Sequence, residues 1–313
     1  MTPPAPRTNH PSIEELRAVA QPPSVVGRRN SEHWAGTLYL RRMSLYFTRM
    51  ILPTGISANG VTWLMIVVGV IGAAVLMIPT WWAVLACAVL MQVQILIDCS
   101  DGEVARWRGT SSPMGVYLDR VGHYVTEAAL PIALGVHVDG GLGSIGGWTT
   151  VGALVGCLVL LKKSFGDLVF VARLYAGLPK PEESAQVAQS KSSGLRSARQ
   201  MLRFFPFFRA FVAIEFSLIT LAAATADLAL GAAGGSSDGV VLRSWLLVSL
   251  PLAFATAGGF LLMIVSSRRF EQRRRSEDSN GRRDVLPGCC RVQRREVPRP
   301  VLPVPRGADV PDG

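Results

Sequence analysis

Asp98 and Asp101 stand three residues apart, and Asp119 and His123 stand four apart. They lie in the string Asp98-Cys99-Ser100-Asp101-Gly102-Glu103-Val104-Ala105-Arg106, followed after eight residues by Gly115-Val116-Tyr117-Leu118-Asp119-Arg120-Val121-Gly122-His123. Spacings of three and four put each pair on one face of a helix. Two such faces packed together would make an oxygen-rich cage suited to Mg²⁺ or Mn²⁺. The string sits where a long apolar run meets a basic stretch, and ionisable groups in such a place are functional candidates by default. The competing reading pairs these carboxylates with Arg106, Arg108 and Arg120. Imidazole binds Mn²⁺-type ions and titrates near neutral pH, so His123 suits both metal binding and general-base work. Glu127, four residues on, shares the His123 face and is placed to accept the other ring N–H.

These side chains must be held by the apolar segments around them. Residues 61–78, 81–97, 116–138, 144–161, 207–230 and 245–265 can each cross a hydrocarbon core of ~30 Å as a helix. Helices are what such runs form in lipid without stranding backbone groups. The pattern predicts an all-α integral membrane protein with six transmembrane helices, the string spanning the second and third. Ser57-Ala58-Asn59 offers a cap for the first of these helices, and Ser111-Ser112-Pro113 breaks the chain between the second and third. Residues 32–53 read as an N-terminal juxtamembrane amphipathic helix, with Trp34, Leu38, Leu45 and Ile51 interleaved with Arg41, Arg42 and Arg49. The expected organisation is a disordered tail over 1–30, a juxtamembrane segment over 31–60, the six-helix domain over 61–266 and a basic Pro/Arg-rich tail over 267–313.

Composition supports this class. Of 313 residues, 49% are hydrophobic and 17% charged, and the apolar ones are clustered. The formal net charge of +10 is unevenly placed. Seven Arg precede residue 61, and twelve follow residue 265. Lys162, Lys163, Arg173, Lys180, Lys191, Arg196, Arg199 and Arg203 lie between the fourth and fifth runs. The opposite loops carry Asp139, Asp227 and Asp238 against Arg243. By the positive-inside rule both termini and the Asp98–His123 string are expected on the cytoplasmic face of a cell membrane. The charge then reads as a topology and lipid-surface signal. Nucleic-acid binding is set aside, because the basic residues lack interleaved stacking aromatics. Residues 1–21 are Pro-rich and polar, so no secretory signal is expected there. The five Cys show no metal-ligand spacing; Cys289-Cys290 in the basic tail is a weak candidate for lipidation.

The string resembles the signature of the CDP-alcohol phosphotransferase family, D-x-x-D-G-x-x-A-R-(x)8-G-x-x-x-D-x-x-x-D. Asp98, Asp101, Gly102, Ala105, Arg106, Gly115 and Asp119 match at the family spacing, and His123 stands where the family has Asp. Asn59 and Thr62 resemble a short family segment ahead of the first membrane helix. The resemblance implies two Mg²⁺ or Mn²⁺ ions on Asp98, Asp101, Asp119 and His123. It implies nucleotide contacts from Asp98, Gly102, Ala105, Arg106 and Gly115, the small residues letting CDP lie against the helix. In the family the last position takes part in metal binding and serves as general base. Here that role would pass to His123, with Glu127 behind it, and the cage loses one negative charge.

The activity implied is transfer of a substituted phosphate from a CDP-alcohol, most simply CDP-diacylglycerol, to an acceptor hydroxyl with release of CMP, in phospholipid biosynthesis. Direct attack by the acceptor fits, since no Ser or Cys is placed for a covalent step. Two alternatives stay open: a transferase using a non-lipid CDP-alcohol such as CDP-inositol, and a catalytically silent membrane protein that binds nucleotide or lipid. The acceptor is unspecified, membrane lipids are expected partners, and a homodimer stays open. Glu215, inside the fifth run, either shapes the acceptor pocket or pairs with Lys162 or Lys163.

Overall fold

Eight helices follow from the local signals, and the computed structural model describes them over residues 7–22, 36–177, 209–233 and 239–266. They are α1 (Ile13–Ala20), α2 (Arg41–Ile51), α3 (Ala58–Leu76), α4 (Trp81–Arg108), α5 (Pro113–Asp139), α6 (Gly147–Tyr175), α7 (Ala213–Ala232) and α8 (Val240–Ser266). The connector over 178–208 and the C-terminal tail lie outside the described residues.

Helix starts fall where the caps are. Ser57 accepts from the Gly60 amide at 3.1 Å and opens α3. Ser112 accepts from the Gly115 amide at 3.1 Å, with Pro113 in the first turn of α5. Helix ends are less tied to the apolar runs. α4 continues past residue 97 through the whole of Asp98–Arg106 and stops at Gly109, which takes a left-handed φ of 68°. α6 runs on to Tyr175, so Lys162, Lys163 and Asp167 are helical.

Four helices, α3, α4, α7 and α8, are long and apolar enough to cross a membrane. Apolar side chains such as Trp63, Leu64, Val67 and Ile71 of α3 are exposed, as a lipid-facing side requires. α5 and α6 are equally long but carry Asp119, Arg120, His123, Glu127, Lys162, Lys163 and Asp167. Their charges meet one another across the α5–α6 contact. Arg120 pairs with Asp167, which also accepts from the Tyr124 hydroxyl at 2.6 Å.

The backbones of α5 and α6 are close enough that only glycine fits between them. A Cβ on Gly152 would stand 2.2 Å from the Pro131 carbonyl oxygen, and one on Gly135 would stand 2.4 Å from that of Trp148. Gly122 lets α5 close on α3 in the same way, against Met65 and Ile66. At the end of the bundle away from the Asp98–His123 string, acidic residues cap helix starts. Asp139 accepts from the amides of Gly146, Trp148 and Thr149 and from the Thr149 hydroxyl, at 2.6–3.3 Å. Asp227 accepts from the amides of Val241 and Leu242 at 2.9 and 3.0 Å.

The N-terminal region departs from expectation. Within the stretch read as a disordered tail, Ile13–Ala20 is a helix. Ser12 accepts from the Glu15 amide and the Glu15 carboxylate accepts from the Ser12 amide, a reciprocal capping box. These bonds hold the Glu15 carboxyl below its ordinary range. Leu16 and Ala20 are fully buried against α2 and α4, and that burial gives so short a helix its stability. α2 lies within the expected juxtamembrane segment, but the face it buries includes Ser44 and Thr48. Both hydroxyls donate to Glu103, which is 0% exposed, at 2.6 and 2.7 Å, and Gln21 donates to it at 2.7 Å.

Glu103 is thus a buried anion held by three donors from outside α4. Glu103→Ala removes the acceptor that these three donors share and should cost on the order of 3 kcal/mol. Glu103→Gln, which keeps an acceptor oxygen, should cost less. Denaturant unfolding of the detergent-solubilised protein checks the order.

Candidate active site

The site forms where the last turns of α4 meet the first turns of α5. The His123 Nε2 lies 3.3 Å from Asp98 Oδ1 and 3.5 Å from Asp119 Oδ1. One ligand atom from each of Asp98, Asp119 and His123 falls within 4.8 Å of the others. Two carboxylate oxygens and one imidazole nitrogen make a donor set that fits a Mn²⁺-type divalent ion, with Mg²⁺ favoured by the oxygens alone. Asp101 lies on the same α4 face, outside this group of three. Its Oδ2 accepts from the Thr62 hydroxyl of α3 at 2.6 Å. Thr62 therefore enters the site through a direct bond, which its position in the first turns of α3 makes possible.

Arg106, Arg108 and Arg120, the partners offered by the competing reading, are engaged elsewhere. Arg106 donates from Nε to the Ala20 carbonyl at 2.6 Å. Arg108 donates to the Leu52 and Ile56 carbonyls. Arg120 pairs with Asp167 and lies over the Phe170 ring. Asp98 and Asp119 instead have the His123 imidazole as their nearest partner.

Behind His123 the arrangement is a chain. Nδ1 faces Glu127 Oε1 at 3.7 Å, and Lys163 Nζ on α6 lies 3.0 Å from that same oxygen. A separation of 3.7 Å is beyond hydrogen-bond length, so in this arrangement Glu127 acts on the ring through its charge. Lys163 also stands 5.6 Å from the centre of the Tyr124 ring. Lys163 was legible in the sequence only as one of the basic residues near the fourth run. The signal for its pairing is the spacing of Glu127 and Lys163 on helices that glycines bring together.

The remaining motif residues are placed as follows. A Cβ on Gly102 would lie 2.9 Å from Arg106 Nη1, so this glycine seats the guanidinium. Ala105 packs at the edge of the cluster containing Trp107 and Leu52. The close neighbour of Gly115 is Asn59 Oδ1, 3.2 Å from its would-be Cβ. Its approach is therefore to the first membrane helix. Glu215 opens α7, and Lys163 pairs with Glu127.

Residues 55–181 match the model of the CDP-alcohol phosphatidyltransferase family. The matched segment covers α3 to α6 and the whole Asp98–His123 string. Proteins of that family are transferases of substituted phosphate groups that take a CDP-alcohol and an acceptor alcohol. No curated protein matches the chain.

Glu127 is buried and its charge is met by Lys163. Lys163→Met should therefore destabilise the protein by on the order of 3 kcal/mol, because it strands a buried carboxylate. Adding Glu127→Gln to that variant should restore most of the loss. Thermal unfolding of the two single variants and the double variant measures this coupling.

Proposed function

We propose that the protein transfers a phosphatidyl group from CDP-diacylglycerol to an acceptor hydroxyl and releases CMP, as a step in phospholipid synthesis. The observation that carries this reading is the meeting of Asp98, Asp119 and His123 within 4.8 Å at the family spacing, in a membrane protein. The cytidine diphosphate would lie along the α4 face that carries Asp98, Gly102 and Ala105, with Arg106 and the Gly115 turn beside it.

Asp98, Asp101, Asp119 and His123 would hold divalent metal. Bound there, Mg²⁺ or Mn²⁺ supplies charge neutralisation for the diphosphate and for the leaving phosphate. The group of three would serve as ligands for one ion, and a second ion would draw on Asp101. The chain's own residues then divide the work. Asp98 and Asp119 turn their carboxylates to one side of the imidazole. The His123 Nε2 faces them and is the ring nitrogen placed to take a proton from the acceptor hydroxyl. One nitrogen serves one role at a time, so ligation and proton transfer compete for Nε2. Glu127 faces the other ring nitrogen, with Lys163 on the same carboxylate oxygen.

In the membrane, we propose that α5 and α6 also span the bilayer, giving six spans with both termini and the site cytoplasmic. The internal pairing of their charges, Arg120 with Asp167 and Glu127 with Lys163, supports this reading. A site on the cytoplasmic face meets a nucleotide-linked donor where nucleotides are present.

Purified protein should release CMP from CDP-diacylglycerol in a reaction that EDTA stops and Mn²⁺ or Mg²⁺ restores. Asp98→Asn, Asp101→Asn and Asp119→Asn should each lower the rate by orders of magnitude. Full rates in all three variants with EDTA present would end the metal-dependent reading. His123→Ala should abolish turnover and retain CDP binding. Failure of excess Mn²⁺ to rescue it marks a base; rescue by Mn²⁺ marks a ligand. Lipid analysis of a strain lacking the protein identifies the acceptor.

Topology has its own test. Reporter fusions after Asp139 and Asp238 should read outside, and one after Ser276 inside. An outside reading at Ser276 would place the site on the wrong face.

A further inference from the structure

Residues 7–22 form a strap across the end of α4, and its contacts converge on Arg106. At one end, Arg7 Nη1 donates to the carbonyls of Arg106 and Trp107 at 3.1 and 2.8 Å and lies over the Trp107 ring. Trp107 returns a bond from Nε1 to the Thr8 carbonyl at 3.0 Å. At the other end, the Gln21 amide bridges the Arg41 carbonyl and the Glu103 carboxylate, 2.7 Å from each. Between them Leu16 and Ala20 are fully buried. The Ala20 carbonyl accepts from Arg106 Nε at 2.6 Å, while Nη1 and Nη2 of that guanidinium lie along Gly102.

We infer that this strap positions Arg106 for the donor's diphosphate. The inference rests on the reading of Arg106 as a nucleotide contact. An arginine side chain loses much rotamer freedom when it is fixed on an anion. The strap holds Nε on a backbone carbonyl, and the missing side chain of Gly102 gives the fork a seat. Part of the ordering is thereby complete before the anion arrives, and affinity gains by that much. The guanidinium presents two N–H groups from a planar fork, the geometry that matches phosphate oxygens. Arg7, the capping box and Leu16 act on the donor through Arg106 and are positioning residues.

The test uses the full chain in detergent with CDP as the calorimetric probe and CDP-diacylglycerol as substrate. Arg7→Ala and Leu16→Ala each loosen the strap without touching the metal-binding carboxylates. Each should weaken CDP binding and raise KM for the donor by up to about tenfold, the scale of one hydrogen bond to a charged group, at an unchanged kcat. Leu16→Met should keep the parent's values. In an Arg106→Lys background the strap variants should add nothing, because their effect passes through the guanidinium. Unchanged or tighter CDP binding in the strap variants would overturn the inference, as would a full additive loss on top of Arg106→Lys. A parent chain that binds no CDP would instead sink the nucleotide reading itself and the inference with it. Should Leu16→Ala fail to fold, Arg7→Ala decides alone, since it removes only surface contacts.

Discussion

A carboxylate on a membrane helix has to be met by donors from another element, and α4 carries three of them within two turns. This requirement organises the end of the bundle. Asp98 is met by His123 of α5, Asp101 by Thr62 of α3, and Glu103 by Ser44 and Thr48 of α2 and by Gln21 just past α1. Asp98 and Asp101 share a face, and Glu103 points away from it. α4 therefore gathers Asp98 and Asp101 on one side and its supporting helices on another. The desolvation of each charge is offset only when its partner is in place, so folding of the N-terminal segments and assembly of the site depend on the same helix.

The parts legible in the sequence are those with short-range causes. The caps at Ser57 and Ser112 are local motifs, and both helix starts fall where they indicate. The pairing of Asp98 with the Asp119–His123 face follows from helical spacing and one break at residues 111–113. What was missed depends on partners distant in sequence. α1 carries its own signal, Ser12 followed three residues later by Glu15, but Pro and charge around it mask it until Leu16 and Ala20 are seen buried. Glu103 sits inside the motif string, and its role shows only once α2 is docked. The ends of α4 and α6 were drawn where apolar runs stop. The helices continue because their charged residues find partners within the bundle.

The same logic accounts for the mixed character of α5 and α6. Judged by hydropathy, they stand apart from the other four long helices. Judged by contacts, their charges are internal to the pair: Arg120 with Asp167, Glu127 with Lys163. Glycine at positions 135, 152 and 156 brings the backbones together, and close backbones let short bonds form between side chains. Packing by small residues is thus what lets the charges of this helix pair meet one another.

His123 brings these two constraints together. Relative to a fourth carboxylate, an imidazole removes a negative charge from a site whose neighbours are already anionic. Glu127 sits one turn behind it and could replace that charge, but Lys163 lies closer to the Glu127 oxygen, 3.0 Å against 3.7 Å for the ring. The pair therefore adds little net charge to the cage. Asp98, Asp101 and Asp119 remain as the anionic groups facing any divalent ion. With an imidazole at this position, any hard cation at the site would be held by fewer negative charges. In the proposed reaction, ligation and proton transfer would both call on His123 Nε2, so two roles that a pair of carboxylates could divide fall on one atom.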